Sequence, residues 1–132
     1  MPRWKPILLA AVILVCGVAP SFAKTPPLTE EQRLQKALAG LVPGKPVDCI
    51  RQGPNVDSTT YDGAILYRDG GTRYLNRFGG SCNIRANWDI AIVHIFGSQL
   101  CRGDIARIVE AGTPIEKGSC VFGDFTPYKK VK

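Results

Sequence analysis

His94 is the only histidine in the chain, so imidazole acid–base chemistry would have to pass through it. It stands inside the apolar run 90–96, facing with Ile92 and Phe96 if that run is a regular strand. A catalytic base needs a nucleophile within hydrogen-bond reach and an orienting carboxylate. Ser58, Ser81, Ser98 and Ser119 are candidate nucleophiles, and Asp89 and Asp104 candidate orienters, but none stands in an elbow or triad setting. A hydrogen-bonded structural histidine is therefore the preferred reading. The aspartates Asp57, Asp62, Asp69, Asp104 and Asp124 mostly adjoin Gly or Ser, where the side chain shapes a turn. Asp104 and Asp124 are the two carboxylates retained for an alternative, a small envelope hydrolase acting through His94.

The arginines carry more chemistry. Arg68, Arg73 and Arg77 fall in one predicted hairpin with Tyr67 and Tyr74, a composition suited to anions, sugars or an acidic protein surface. These three are the expected contact residues. A solvated basic face that aids solubility is the plain alternative. Gly70-Gly71 and Gly79-Gly80 lack the strand-to-helix setting and the Lys-Ser/Thr of a phosphate loop, so they punctuate strands. Arg102-Gly103-Asp104, a tripeptide that integrins read, is most simply a turn. No cofactor is expected and no metal, since one histidine and cysteines with no Cys-x-x-Cys do not make a metal site.

The elements that must position these residues fit in one modest domain. The chain has 132 residues, with 17 Lys+Arg against 11 Asp+Glu, 45% apolar and 21% charged, which argues against a disordered polymer. Its start reads as an export signal. Arg3 and Lys5 precede an apolar run of 12 residues, 7–18, and Pro20-Ser21-Phe22-Ala23 offers a cut after Ala23. That run is short of the roughly 20 residues a spanning helix needs, so no stable membrane span is expected after cleavage. Lipid attachment at Cys16 is disfavoured by Val15 before it.

Loss of residues 1–23 removes Arg3, Lys5 and Cys16. Of 17 basic residues 15 remain, against all 11 acidic ones, for a net charge of +4. The remaining cysteines are Cys49, Cys82, Cys101 and Cys120, an even set that in a short exported chain points to two disulfides. Spacing does not choose among the three possible pairings. A nested arrangement, Cys82–Cys101 inside Cys49–Cys120, is the working hypothesis, with the outer bond contributing about 4 and the inner about 3 kcal/mol.

Residues 24–28 are a proline-bearing lead expected to be mobile. Thr29 and Gln32 then form a capping box, with Glu30 and Glu31 at the positive end of a helix. Leu34, Ala37, Leu38 and Leu41 make its apolar stripe, Gly40 ends it and Pro43-Gly44-Lys45-Pro46 blocks continuation. Strands are predicted at 47–52, 64–68, 72–78, 88–96, 105–110 and 119–125, with Asp69-Gly70-Gly71 closing a hairpin. Residues 55–63 read as a polar turn region. The run 88–96 is apolar on both faces, which predicts a central, doubly covered strand. Lys129, Lys130 and Lys132 read as a disordered basic tail, 129–132. The expected architecture is α+β and mostly β, a single domain over 29–128. One short N-terminal helix lies on a small curled antiparallel sheet or partial barrel.

These motifs resemble a family of small exported proteobacterial proteins of unknown function with a four-cysteine framework. The matching residues are Cys49-Ile50, Ile65-Leu66-Tyr67-Arg68 with Gly70-Gly71, and Tyr74-Leu75-Asn76-Arg77. Cys82 follows, then Ser98-Gln99-Leu100-Cys101 with Asp104, and Gly118–Phe125 with Pro127. Asn83-Ile84 departs from the Gly-Leu such proteins often carry. The resemblance implies export and a shared disulfide-bonded fold, and it brings no catalytic or binding residues.

The function expected from these features is a periplasmic, non-enzymatic binding or protein-interaction module. Its expected partners are an envelope protein or anionic envelope material, and not nucleic acid. The alternatives are the hydrolase above and an inhibitor of a foreign enzyme, which the size and cysteines would suit.

Overall fold

The capping box forms as its residues dictate. In the computed structural model, which describes residues 2, 11–80 and 82–132, the Thr29 side chain accepts the Gln32 N–H and the Gln32 side chain accepts the Thr29 N–H. Helix α1, Glu30–Leu38, follows. Arg3, Lys5, positions 7–10 of the apolar run, and Ser81 lie outside the described residues. Residues 11–29 have no regular structure, and Val12, Leu14, Val18 and Phe22 are exposed, so the described part of the apolar run, 11–18, adds nothing to the core.

Ten strands follow α1 among the described residues. They form three antiparallel sheets rather than the single curled sheet expected, and the sheets do not close into a barrel. The largest contains β1 (Leu41–Pro43), β3 (Val56–Tyr61), β4 (Ala64–Asp69), β5 (Thr72–Arg77) and β10 (Phe125–Lys130), in the order β1-β10-β5-β4-β3. A two-stranded ribbon joins β2 (Cys49–Arg51) to β7 (Gln99–Cys101). The third sheet has β8 (Ile105–Glu110) between β6 (Asp89–Val93) and β9 (Glu116–Val121). Single bridges, Val47 with Phe125 and Gly79 with Val121, tie the three together.

The predicted hairpin is present, with Asp69 opposite Thr72 across Gly70-Gly71; Gly70 takes φ +58°, where a Cβ would be strained. Residues 55–63, read as turns, instead supply β3. An Asp62-Gly63 turn folds β3 back on β4, pairing Tyr61 with Ala64, and Val56, Thr59, Thr60 and Tyr61 are residues that suit a strand. The predicted tail is also ordered: Lys129 and Lys130 lie in β10, opposite Val42 and Leu41. Leu41, assigned above to the helix stripe, therefore begins β1.

The large sheet is buried on both sides. One face meets α1, through Leu34 and Leu38 against Tyr61, Ala64, Leu66 and Leu75. The other meets the two smaller sheets, where Ile65, Tyr67 and Phe125 pack with Ile50, Leu100, Ile108 and Phe122. Phe122 lies against Phe125 and Phe78, with ring centroids 6.0 and 4.9 Å apart. Burial in this core pushes the Tyr67 hydroxyl pKa up.

The two disulfides are Cys49–Cys101 and Cys82–Cys120. The nested pairing is overturned. Cys49 and Cys101 are directly opposed in the β2–β7 ribbon, with Cα atoms 4.0 Å apart. Cys82, in the segment after β5, comes 5.2 Å from the Cys120 Cα. The strands that carry the cysteines decide the partners, and the two loops interlace along the chain.

Candidate functional site

The three predicted contact arginines do share a face. Arg68 and Arg73 are opposed across β4 and β5, and Arg77 is opposed to Ala64. Strand alternation puts all three on the side that α1 covers, and α1 is what engages two of them. Arg73 donates to the carbonyl oxygen of Ala37 in the last turn of the helix. Arg77 bonds Glu31 in its first turn at 3.0 and 3.4 Å. Those bonds from Arg77, with one from Gln35, hold the Glu31 carboxyl below its ordinary range. Arg68 pairs with Asp57 at 3.1 Å. Beside them is an open depression of about 370 Å³ lined by Lys36, Asp57, Thr59, Tyr61, Arg68 and Arg73. The guanidiniums thus clamp the helix onto the sheet at both ends, and Asp57 neutralises the third.

His94 lies just past the end of β6 and is exposed, so it is not the hydrogen-bonded core residue expected. It shares an open depression of about 370 Å³ with Phe96, Asp104, Ile105 and Arg107. Sequence reasoning did bring His94 and Asp104 to one place, but Asp104 accepts the Cys101 N–H at 2.8 Å and shapes the turn after β7. Asp124 does not line that depression and pairs with Arg102 at 3.1 Å. Arg102-Gly103-Asp104 is that same turn, its arginine held by Asp48 and Asp124. Asp89 is buried under Lys117, whose Nζ is 2.8 Å from both carboxylate oxygens. Among the described residues, no group of three or more His, Cys, Asp or Glu is placed to hold a metal ion.

The surface that sequence reasoning missed is on the β6–β8–β9 sheet. Strand 88–96 was expected to be central and covered on both sides. β6 instead pairs with β8 alone and is an edge. Ala91 and Val93 pack inward on the core. Ile90, Ile92, Ile105 and Val121 alternate to the outer face and are 48%, 38%, 58% and 46% exposed. Ile105 is opposed to Val121, and Ile92 to Arg107, which pairs with Glu116 at 3.0 Å, so the exposed aliphatics share this face with an ion pair. Phe96 and Trp88, both exposed, flank the face at the two ends of β6. The available signal was element number: one helix cannot cover two sheets, and α1 is used on the large one.

The chain was compared with protein-family models, with curated proteins and with solved structures, and nothing matched.

Proposed function

We propose that this chain is an exported, non-enzymatic protein-interaction module of the bacterial envelope, binding through the outer face of β6–β8–β9 and the open edge of β6. The observation that carries the reading is the patch of Ile90, Ile92, Ile105 and Val121 beside an edge strand. Exposed apolar side chains grouped on one face and rimmed by polar residues mark protein interaction sites. An edge strand offers unpaired N–H and C=O groups to an incoming strand. The partner is a protein that adds a strand to β6 and lays apolar side chains over Ile92 and Ile105. The signal-like start and the two disulfides support the periplasm as the compartment. Asp104, beside His94, accepts the Cys101 N–H, a turn-shaping role that favours the binding module over the hydrolase alternative.

A photo-crosslinking side chain placed at Ile92 in cells tests this, with the same group at Lys36 on α1 as control. One discrete adduct from position 92, absent from position 36 and lost with Ile105→Lys, is expected. No adduct, or the same adducts from both positions, would refute the interface. An adduct of twice the chain mass would replace the envelope partner by a second copy.

A further inference from the structure

Lysines outside any ion pair gather at one end of the large sheet. Eight acidic residues are in ion pairs: Glu30, Glu31, Asp48, Asp57, Asp69, Asp89, Glu116 and Asp124. The partners are arginines, with Lys117 joining them at Asp89. The other three accept hydrogen bonds, Asp62 from the Ala86 N–H, Asp104 from the Cys101 N–H and Glu110 from the Thr113 hydroxyl. Lys117 is the one lysine in an ion pair among the described residues. Among the described residues the cations outside ion pairs are Arg73, which is bonded to the Ala37 carbonyl, and six lysines, of which Lys45, Lys129, Lys130 and Lys132 belong to one end of the large sheet.

There β1 and β10 border an open groove of about 430 Å³. Lys45, Lys129 and Lys130 line it together with Val42 and Val131, both exposed, and no acidic residue is in the lining. The Gly44 N–H donates to the Pro127 carbonyl at 2.7 Å, which fixes the loop bearing Lys45 against β10. The groove thus joins exposed valines to lysines on flexible stems.

We propose that this groove docks the protein on an anionic phospholipid surface. Lysine is a point charge that meets phosphate from any direction, whereas arginine suits a bidentate carboxylate. Its stem lies along apolar surface while the ammonium reaches the headgroup, and basic clusters are drawn to anionic leaflets. An added peptide strand fits less well. β1 is only three residues long, and Pro43 at its end has no N–H to offer. The groove also has no side chain that would read a sequence. It belongs to a different sheet from β6 and does not depend on the interaction proposed there.

The test is co-sedimentation of residues 24–132, the chain expected after cleavage, with phosphatidylcholine vesicles, with and without phosphatidylglycerol. Two variants of equal net charge are compared, Lys129→Gln with Lys130→Gln, and Lys24→Gln with Lys36→Gln. Starting at Lys24 removes the apolar run 7–18, which would itself partition into any vesicle. Binding to the phosphatidylglycerol vesicles should fall about ten-fold or more for the groove pair, and stay within about two-fold for the control pair. Ile92→Lys should not reduce vesicle binding, which separates failure here from failure of the β6 interface. Equal losses in both pairs would reduce the effect to overall charge and overturn the groove. Binding without phosphatidylglycerol that matches binding with it would overturn the proposal, as would capture of polyglutamate but not of vesicles.

Discussion

Asn76 and Gly123 grip each other across the join between β5 and the link from β9 to β10. The Asn76 amide donates to the Gly123 carbonyl at 2.7 Å and to the Asp124 carbonyl at 3.3 Å, and its oxygen accepts the Gly123 N–H at 3.3 Å. Asn76 is fully buried. A Cβ on Gly123 would stand 2.7 Å from the Arg77 carbonyl oxygen, so the same approach that makes the bonds requires glycine. Their role here is architectural.

Asn76→Ala should therefore destabilise the fold by roughly 2–4 kcal/mol, because it leaves backbone N–H and C=O groups buried without partners. Gly123→Ala should cost about 2 kcal/mol or more through the backbone clash. Denaturant midpoints measured with the disulfides intact will report both. A loss below about 0.5 kcal/mol in either, the range of ordinary surface changes, would show that the link is not held this way.

The disulfides make the second prediction. Cys49–Cys101 and Cys82–Cys120 close separations of 52 and 38 residues, so chain entropy assigns each about 4 kcal/mol. Replacing either pair by alanine should lower the denaturation midpoint by a comparable amount, unlike the unequal effects of a nested pairing. Digestion without reductant should yield Cys49 joined to Cys101. A Cys82–Cys101 peptide would contradict the fold.

Local chemistry was legible and long-range partnership was not. Thr29 and Gln32 announce the helix because both capping bonds lie within one turn, and Asp69-Gly70-Gly71 announces its hairpin for a similar reason. The cysteine count predicted two bonds, but their partners depend on which strands meet. Asp62-Gly63 carried as good a turn signal as Asp69-Gly70, and Ser58 and Asp57 obscured the strand before it. Pro127 argued against β10, since proline withholds a ladder donor, yet β10 pairs with both β1 and β5. Arg68, Arg73 and Arg77 were correctly placed on one hairpin, and nothing local showed that α1 would lie over that face. The same nonlocal choice left Ile90 and Ile92 uncovered.

Asp89 supplies a pH prediction. Burial alone would raise its carboxyl pKa, but Lys117 and the Arg85 N–H and guanidinium outweigh that and hold it below the ordinary range. A carboxyl lowered in the folded state stabilises above its unfolded pKa of about 3.9. That contribution is lost as pH falls through the folded value. Urea midpoints should thus decline below about pH 4, and Asp89→Asn should flatten that decline. At neutral pH the same variant should cost roughly 3 kcal/mol, because Lys117 loses its buried counter-charge. An unchanged acid limb in Asp89→Asn would dissociate this ion pair from acid stability.

One strand separates what the fold needs from what its surface offers. On β8, Ile108, opposed to Ala91, is buried on the inner face, while Ile105 projects from the outer face beside Val121. Ile108→Ala should cost about 2–5 kcal/mol through lost burial and the cavity left behind. Ile105→Lys should leave stability within about 0.5 kcal/mol, because its side chain already meets water. If the outer face is an interface, Ile105→Lys should abolish capture of the strand-adding partner while the melting curve stays in place. Ile108→Ala should do the reverse at temperatures where it remains folded. The two readouts together distinguish a binding surface from a stretch of tolerated apolar surface, since only a binding surface makes function fail while the fold survives. A variant at Ile105 that keeps both partner and stability would leave β6–β8–β9 without the role assigned to it.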